Sequence, residues 1–294
     1  MLYYMNYVFV ILHYQNSDVT LKAVEYILKQ KNRNFNIVVI DNCSPNGSGL
    51  MIKKCLENNK SIRVICLDKN YGFARGNNIG YKYAKNKLHA DVIIVMNSDV
   101  FIYDEYFINK LNDVIKKNEI SSILAPDIIN RDGNHQNPYM FKPLSTSRNI
   151  TLIVRKIFGL LLYSIPFLGV KIIKSNYTLK KNMWTANTEK KIDTINDIIP
   201  HGSCLIYLPR WINREDIAFI NGTFLFVEEE LLYDYCKCSK HIITYDPSLE
   251  INHMEDASQD VSFQNALQKK KNQIKHEIKS RVLLVKKRYD YYRK

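Results

Sequence analysis

The chain has 294 residues, 46% of them apolar, and carries 42 Lys and Arg against 29 Asp and Glu, a net charge of +13. That length fits one large domain or a domain with an appendage, and that apolar share excludes wholesale disorder. The positive balance favours anionic partners: nucleic acid, anionic lipid or phosphorylated small molecules.

Val8–Leu12 reads as a first buried strand. The N-terminus lacks a basic flank and a small-residue cleavage site, so a strand is expected there rather than a signal peptide. Asp18 to Gln30 follows with Leu21, Val24, Ile27 and Leu28 at helical spacing. Ile37–Ile40 is a second apolar run, closed by Asp41, and Leu50–Leu56 predicts a short helix. Ile62–Leu67 reads as a strand, Ala74–Lys87 as a helix, and Val92–Met96 as a strand that runs into Asn97, Ser98 and Asp99. Phe107, Leu111, Val114 and Ile115 form one apolar stripe on a further helix, and Ser122–Pro126 is another short strand. Strands alternating with helices at this spacing predict a parallel sheet covered on both faces, with ligands beyond the carboxyl ends of the strands. Asp41 and Asp99 both close apolar strands on that edge. A strand-ending Asp is often only a helix cap; two on one edge beside a Gly/Asn-rich segment point to a site.

From about Asn130 the pattern degrades. Residues 130–150 are polar with scattered Pro and Gly, and Ile157–Val170 is apolar, interrupted by Pro166 and flanked by Lys156 and Lys171. That run is too short to span a bilayer. It predicts a buried helical hairpin or, preferably, a segment in the membrane interface. Residues 174–197 read as polar loops, and Ile198–Leu208 as a strand. Phe224–Val227 precedes the acidic triplet Glu228, Glu229, Glu230 and a helix to Cys238; Ile242–Tyr245 and Leu249–Asn252 read as short strands before His253. From Lys269 to Lys294 the tail holds eleven Lys and Arg against Glu277 and Asp290, a net +9. Ile274, Ile278, Val282, Val285 and Tyr289 give it the stripe of a basic amphipathic helix. The six cysteines (43, 55, 66, 204, 236, 238) are scattered, and the one close pair, Cys236 and Cys238, is a weak metal signal; reduced cytosolic thiols are expected.

The segment NYGFARGNNIG, residues 70–80, opens a helix after a strand with Gly72, Gly76 and Gly80 spaced by four. It matches neither the dinucleotide fingerprint nor a phosphate-binding loop. Its small residues admit two readings: close approach of an anion to free N–H groups, or tight helix-on-sheet packing.

Four stretches in order carry a resemblance: VIDNCS (39–44), NYGFARGNNIG (70–80), VMNSDV (95–100), and TFLFVEEELL (223–232) with PSLEINHMEDAS (247–258). Together they resemble the inverting nucleotide-sugar glycosyltransferases of family 2. The likeness is to bacterial enzymes of capsule, lipopolysaccharide and other surface polysaccharides, the rhamnosyltransferase-like branch. It covers roughly residues 5–130 and, less closely, 198–258, and does not reach 131–197 or the tail. It implies an α/β GT-A fold, Rossmann-like, with a mostly parallel central sheet and a C-terminal helical extension. Residues 1–130 would be the nucleotide-sugar-binding half, 131–197 a variable insertion that touches the membrane interface, 198–260 the acceptor-binding and catalytic part, and 261–294 a basic helix.

The resemblance also implies roles. Asp41 would accept hydrogen bonds from the donor nucleotide, with Tyr14 and Asn16 beside the base. Asn70, Gly72, Arg75, Gly76 and Asn77 would shape the pocket, Arg75 as a phosphate contact. Asp99 would be the metal carboxylate, with Asn97 where the family pattern often has an acid, and His253 would complete the ligand set for Mn²⁺ or Mg²⁺. As a lone histidine, His253 also fits simple packing. Glu229 would be the catalytic base, with Glu228 in reserve because a one-residue alignment slip exchanges them; Glu230 reads as a solvated helix start. Gly202 and Ser203, in HGSCLIY (201–207), would leave room for the acceptor, with Phe226 stacking on it.

The expected reaction is transfer of a sugar from a nucleoside diphosphate donor to a hydroxyl of a glycan or glycolipid acceptor, at the inner face of the plasma membrane. An anionic membrane surface is the partner expected for the tail; self-association through that helix is the competing reading. A nucleic-acid-binding protein is the other functional class the charge admits, but its basic residues concentrate in the tail and no RNP, KH or helix-turn-helix signature is present, so no nucleic acid is expected. Asn97 in place of an acid is the one hint of an inactive scaffold.

Overall fold

The structure, a computed structural model, describes residues 5–165, 189–254 and 263–292. The apolar runs form strands β1 (Tyr7–His13), β2 (Phe35–Asp41), β3 (Ile62–Cys66) and β4 (Val92–Asn97), all mutually parallel in the order β3-β2-β1-β4. Both faces are covered, as continuous apolar strands require. Phe9 and Ile11 of β1 join one core with Val24 and Ile27 of helix α1 (Ser17–Leu28), Ile52 of α2 (Ser48–Leu56) and Leu111 of α4 (Phe107–Lys117). Val8 and Val10 point the other way, onto Ala74, Tyr81 and Ala84 of α3 (Gly72–Lys87). A Cβ at Gly80 would stand 2.3 Å from Val10 Cγ1, and one at Gly76 2.7 Å from Leu12 Cδ1. At these two positions the four-residue spacing has a packing reason: α3 lies directly on β1 and β2.

Beyond β4 the sheet changes direction. Strand β8 (Cys204–Tyr207) inserts antiparallel between β4 and β6 (Ile123–Asn130), and β9 (Ile243–His253) runs parallel to β6. The two-residue strand β5 (Val100–Phe101) closes the edge against β9, and β7 (Ile195–Asn196) also pairs with β9. Of the run read as one strand, Ile198–Leu208, only Cys204–Tyr207 is extended in the sheet; His201, Gly202 and Ser203 make the turn that enters it, and the one-turn helix α6 (Pro209–Ile212) follows it. The two short strands expected at 242–252 are one strand, with a register shift opposite Pro126 and Asp127.

Residues 146–164, within and beyond the polar stretch, form helix α5 (Thr146–Ser164). Residues 166–170 of the apolar run lie outside the described residues. The tail is helix α8 (Phe263–Tyr292), which packs on α5: Lys156 Nζ meets Glu277 Oε2 at 2.6 Å, Arg281 Nη1 donates to Asn149 Oδ1 at 2.7 Å, and Arg288 donates to the Leu144 carbonyl. Partner numbers fall along α5 as they rise along α8, so the two helices are antiparallel. Among the described residues no helix is long and apolar enough to cross a membrane.

The inward face of α8 differs from the stripe read in the sequence. Ile274, Ser280, Leu284 and Arg288 are buried, whereas Val282 and Tyr289 are 50% and 62% exposed. The cause is polar. Arg288 reaches Asp234 Oδ2 (Nε, 2.6 Å) and Glu230 Oε2 (Nη2, 3.2 Å) on helix α7 (Glu228–Ser239), and this buried cluster sets the rotation of α8. Glu230 is therefore no solvated helix start; it is 4% exposed and ion-paired.

Removing the whole tail would expose this cluster and the Leu284 contact, so fractionation of a truncated chain reports on folding as well as docking. We expect Arg288→Met to leave two buried carboxylates without their cation and cost about 3–5 kcal/mol. A urea titration would show it as a lowered midpoint, and the loss should shrink in acid, because burial already pushes the Asp234 and Glu230 carboxyls above their ordinary values. An unchanged midpoint would contradict the anchoring role.

Candidate active site

The carboxyl ends of the parallel strands gather the first group of candidates. Asp41, last residue of β2, is 5% exposed, and its Oδ1 accepts from the Ser44 N–H (3.1 Å) and the Ser44 hydroxyl (2.5 Å). Beside it, His13 is fixed between Thr20 Oγ1 (2.7 Å) and Ser48 Oγ (2.8 Å). Burial lowers its pKa more than the neighbouring Asp41 raises it, so the imidazole is neutral at pH 7. Tyr14 is 44% exposed just past β1, and Asn16 caps α1, its Oδ1 accepting from the Val19 N–H at 3.3 Å. Asn42 ties this edge to the start of α3: its Oδ1 accepts from the Tyr71 N–H (2.9 Å) and its Nδ2 donates to the Gly72 carbonyl (3.2 Å). Asn70 Oδ1 accepts from the Gly72 N–H at 2.9 Å, Arg75 is exposed in the first turn of α3, and Asn77 is buried, donating to the Phe73 carbonyl at 3.1 Å.

The second group surrounds the β4–β5 turn. Val100 pairs with His253 in the sheet, and the Met254 N–H donates to the Asp99 carbonyl at 2.9 Å, so Asp99 and His253 are neighbours. His253 Nε2 lies 3.5 Å from Asp99 Oδ2, while its Nδ1 meets Gln136 Oε1 at 2.9 Å. Nδ1 donates to the amide oxygen, which turns Nε2 toward the carboxylate. An imidazole nitrogen and a carboxylate oxygen turned toward one point are a ligand pair that a cation could share, and the hydrogen-bonded second nitrogen is the support a metal-ligating histidine ordinarily has. Among the described residues no cluster of three or more His, Cys, Asp and Glu could hold a metal ion; this pair supplies two ligands, leaving the rest of a shell to substrate oxygens and water.

The acids of α7 form the third group. They share a cavity of about 440 Å³ whose walls include Asn97, Gly202, Ser203, Phe226 and Glu229. The Asn97 N–H donates to the Ser203 carbonyl at 2.8 Å, which locks the β4 end to the turn before β8. A Cβ at residue 202 would stand 2.6 Å from Glu229 Oε1. Burial raises the Glu229 pKa, while its own N–H and that of Gly202 pull it down; the net direction is up. Glu228 is 3% exposed, its Oε1 has no hydrogen-bond partner among the described residues, and burial followed by the Glu229 charge pushes its pKa up to about 7. Phe226 and Val227 both have positive φ, +78° and +60°. For a β-branched valine this is strain. The segment is pinned from two sides: the Phe73 N–H donates to the Phe224 carbonyl (2.8 Å) and the Ser280 hydroxyl to the Leu225 carbonyl (2.7 Å), while Phe224 stacks on His276 with centroids 4.4 Å apart.

Four wall or support residues escaped the sequence reading. His201 lines the cavity, packs 5.3 Å from the His253 ring and meets Ser203 Oγ at 2.9 Å; burial, then His253, lowers its pKa to about 4, so it is neutral. It links the Asp99–His253 pair to the cavity holding Glu229. Gln136 is the support of His253, and Glu277 and Arg281 bring α8 into the cavity wall. The only sequence signal for the last two was Glu277 standing alone among the lysines.

A family model described as glycosyl transferase family 2 matches residues 8–169, more than half of the chain. The chain is 35% identical over 112 residues to dTDP-rhamnosyl transferase RfbF of Shigella flexneri, a match covering 38% of this chain and 36% of that protein. It therefore spans little more than a third of that relative's length. Among solved structures, S. aureus TarS 1–349 in complex with UDP-GlcNAc is similar at 15% identity and a TM-score of 0.54, over 94% of this chain and 72% of that one. GalNAc-T7 with UDP, GalNAc and Mn²⁺ is similar at 14% identity and a TM-score of 0.55, over 88% and 45%. At such identities the structural likeness establishes the fold, which is the expected GT-A arrangement.

The Glu228 environment makes a pH prediction. Its folded pKa, about 7, exceeds its ordinary 4.5, so its protonation favours the folded chain. That contribution is full below about 4.5 and lost as pH rises through about 7. Relative to Glu228→Gln, the wild type should lose about 3 kcal/mol of stability across that window, at 1.36 kcal/mol per pH unit. Denaturant midpoints of both proteins at pH 4.5, 6 and 8 test this; parallel curves would refute it.

Proposed function

The chain belongs to glycosyl transferase family 2, and on that premise we propose that it moves a sugar from a nucleoside diphosphate donor to a hydroxyl of a glycan acceptor with inversion at the anomeric carbon. The observation that carries this reading is the shared cavity: Asn97, two residues before Asp99, and Glu229 line the same space although 132 positions separate them. The dTDP-rhamnosyl transferase likeness supports a polysaccharide-synthesis setting; within the proposal, the product is a surface polysaccharide, capsule or lipopolysaccharide, and the acceptor is lipid-linked and met at the inner face of the plasma membrane.

In this mechanism the nucleotide lies along the carboxyl edge, its base and ribose near Tyr14, Asn16 and Asp41 and its phosphates toward Asn70, Gly72, Arg75, Gly76 and Asn77. Gly202, Ser203 and Phe226 receive the acceptor. Its hydroxyl gives a proton to Glu229 as its oxygen attacks the anomeric carbon, and the bond from that carbon to the diphosphate breaks with both electrons leaving on the diphosphate. The raised Glu229 pKa makes it a stronger base than a solvated carboxylate. Asp99 Oδ2 and His253 Nε2 fit a divalent cation such as Mn²⁺ or Mg²⁺, which when bound would neutralise charge on the departing diphosphate. Neutral His201 keeps a second positive charge out of that corner.

Incubation with Mn²⁺ and a panel of UDP-, GDP- and dTDP-sugars, with product configuration read by NMR, tests the reading. Nucleotide release with none of them, together with no nucleotide binding by calorimetry, would defeat it. Glu229→Gln should cut transfer by about 10²–10⁴-fold while leaving the donor Kd unchanged. Gly202→Ala, which forces the carboxylate aside, should lower kcat by at least about tenfold, since small misplacements of reacting groups are costly. Equal activity in both variants would remove Glu229 from the mechanism.

A further inference from the structure

Helix α5 is apolar on two sides. One side, with Asn149, Lys156 and Tyr163, faces inward, toward the α8 contacts already described. The other carries Ile150, Val154, Ile157, Phe158 and Leu161, with Ile165 just past the helix end, each between 46% and 63% exposed. At 100° per residue the five helical ones fall within an arc of about 100° and extend about 17 Å along the axis. So large a contiguous apolar face on a protein surface marks an interaction site.

The charge around it selects the partner. Helix α5 holds Arg148, Arg155 and Lys156 and no acid, and α8 holds nine Lys and Arg against Glu277 and Asp290. The pair thus carries a net +10 of the chain's +13. We propose that the outer face of α5 is a docking surface for an anionic lipid bilayer, with the six apolar side chains in the acyl boundary and the surrounding lysines and arginines at the headgroups. A second copy of this chain is the poorer occupant, because a two-fold contact through α5 would set two net-positive helix pairs against each other even with Arg281 and Arg288 turned inward. The anchor is α5 and its cationic surround, rather than the stripe read on the tail, since α8 spends Arg281 and Arg288 on internal partners.

The surface also has a relation to the cavity. Glu277 and Arg281, both in the cavity wall, are the α8 residues bonded to Lys156 and Asn149 of α5. A docked α5 would therefore bring that wall to the membrane, where a lipid-linked acceptor would present its hydroxyl. This second step rests on the transferase reading; the docking itself does not.

The test is co-sedimentation of the full chain with phosphatidylcholine vesicles, with and without about one-third phosphatidylglycerol. We expect binding to the anionic vesicles, weakened by salt, and little to the neutral ones. The triple variant Val154→Glu, Phe158→Glu, Leu161→Glu, checked for an unchanged thermal midpoint, should bind at least about tenfold less while transferring normally to a water-soluble acceptor. Wild-type protein that ignores anionic vesicles, a variant that binds them equally, or a wild-type dimer that the variant dissolves would overturn the proposal. Vesicle binding without sugar transfer under any condition would leave the docking surface standing and remove the transferase reading.

Discussion

The contact between Gly202 and Glu229 is the constraint around which the site is arranged. The carboxylate occupies the space a side chain at 202 would fill, so the turn into β8 and the start of α7 must meet at that point. Each side of the contact is fixed by different elements. The turn is tied to β4 by the Asn97–Ser203 backbone bond and to the 131–140 segment by Asn137 Oδ1, which accepts from the His201 N–H at 2.7 Å. The helix start is reached through two residues in the left-handed region, a conformation that persists only where the surroundings over-determine it. Here α3 and α8 do so from opposite sides.

Helix α8 is consequently a structural member as much as a charged tail. Arg288 neutralises two buried acids of α7, and Ser280 holds the backbone just before it, so the position of Glu229 depends on residues about fifty positions downstream. Breaking such a buried pair from one side is far costlier than losing a surface ion pair. The lysines that remain outward, such as Lys275, Lys279 and Lys286, are free of that duty. One helix thus divides its cations between folding and an outward electrostatic face.

Much of the fold was legible because a parallel sheet buried on both faces writes itself as apolar runs that need no knowledge of partners. The first four strands and their helices follow that rule within a residue or two. Strand ends marked Asp41 and Asp99 for one edge, whereas His253 was joined to Asp99 only by the family resemblance; in the structure the two are neighbours. What could not be read was anything set by a polar partner distant in sequence. Gln136 reaches His253 through the turn after β6, where the Gln136 N–H returns to the Ile128 carbonyl at 2.8 Å. Glu230 looks like its two neighbours until Arg288, 58 residues away, is placed beside it. The rotation of α8 failed for the same cause, since an apolar stripe predicts the buried face only when no buried ion pair competes.

The acidic triplet shows how neighbours of identical type acquire different chemistry. Successive helical residues turn by about 100°, so Glu228, Glu229 and Glu230 leave the α7 start in three directions. Glu230 turns into the arginine cluster, where its charge is matched. Glu228 turns inward with an unbonded oxygen and titrates near neutrality. Glu229 is half-buried against Gly202, with its own N–H and that of Gly202 stabilising its charged form. Its place against the turn into β8 favours Glu229 over Glu228 in the role. Glu228 also feels its neighbour: after burial, the Glu229 charge is the next cause of its raised pKa. A site that reads as a redundant acidic run is a graded set of three carboxyls.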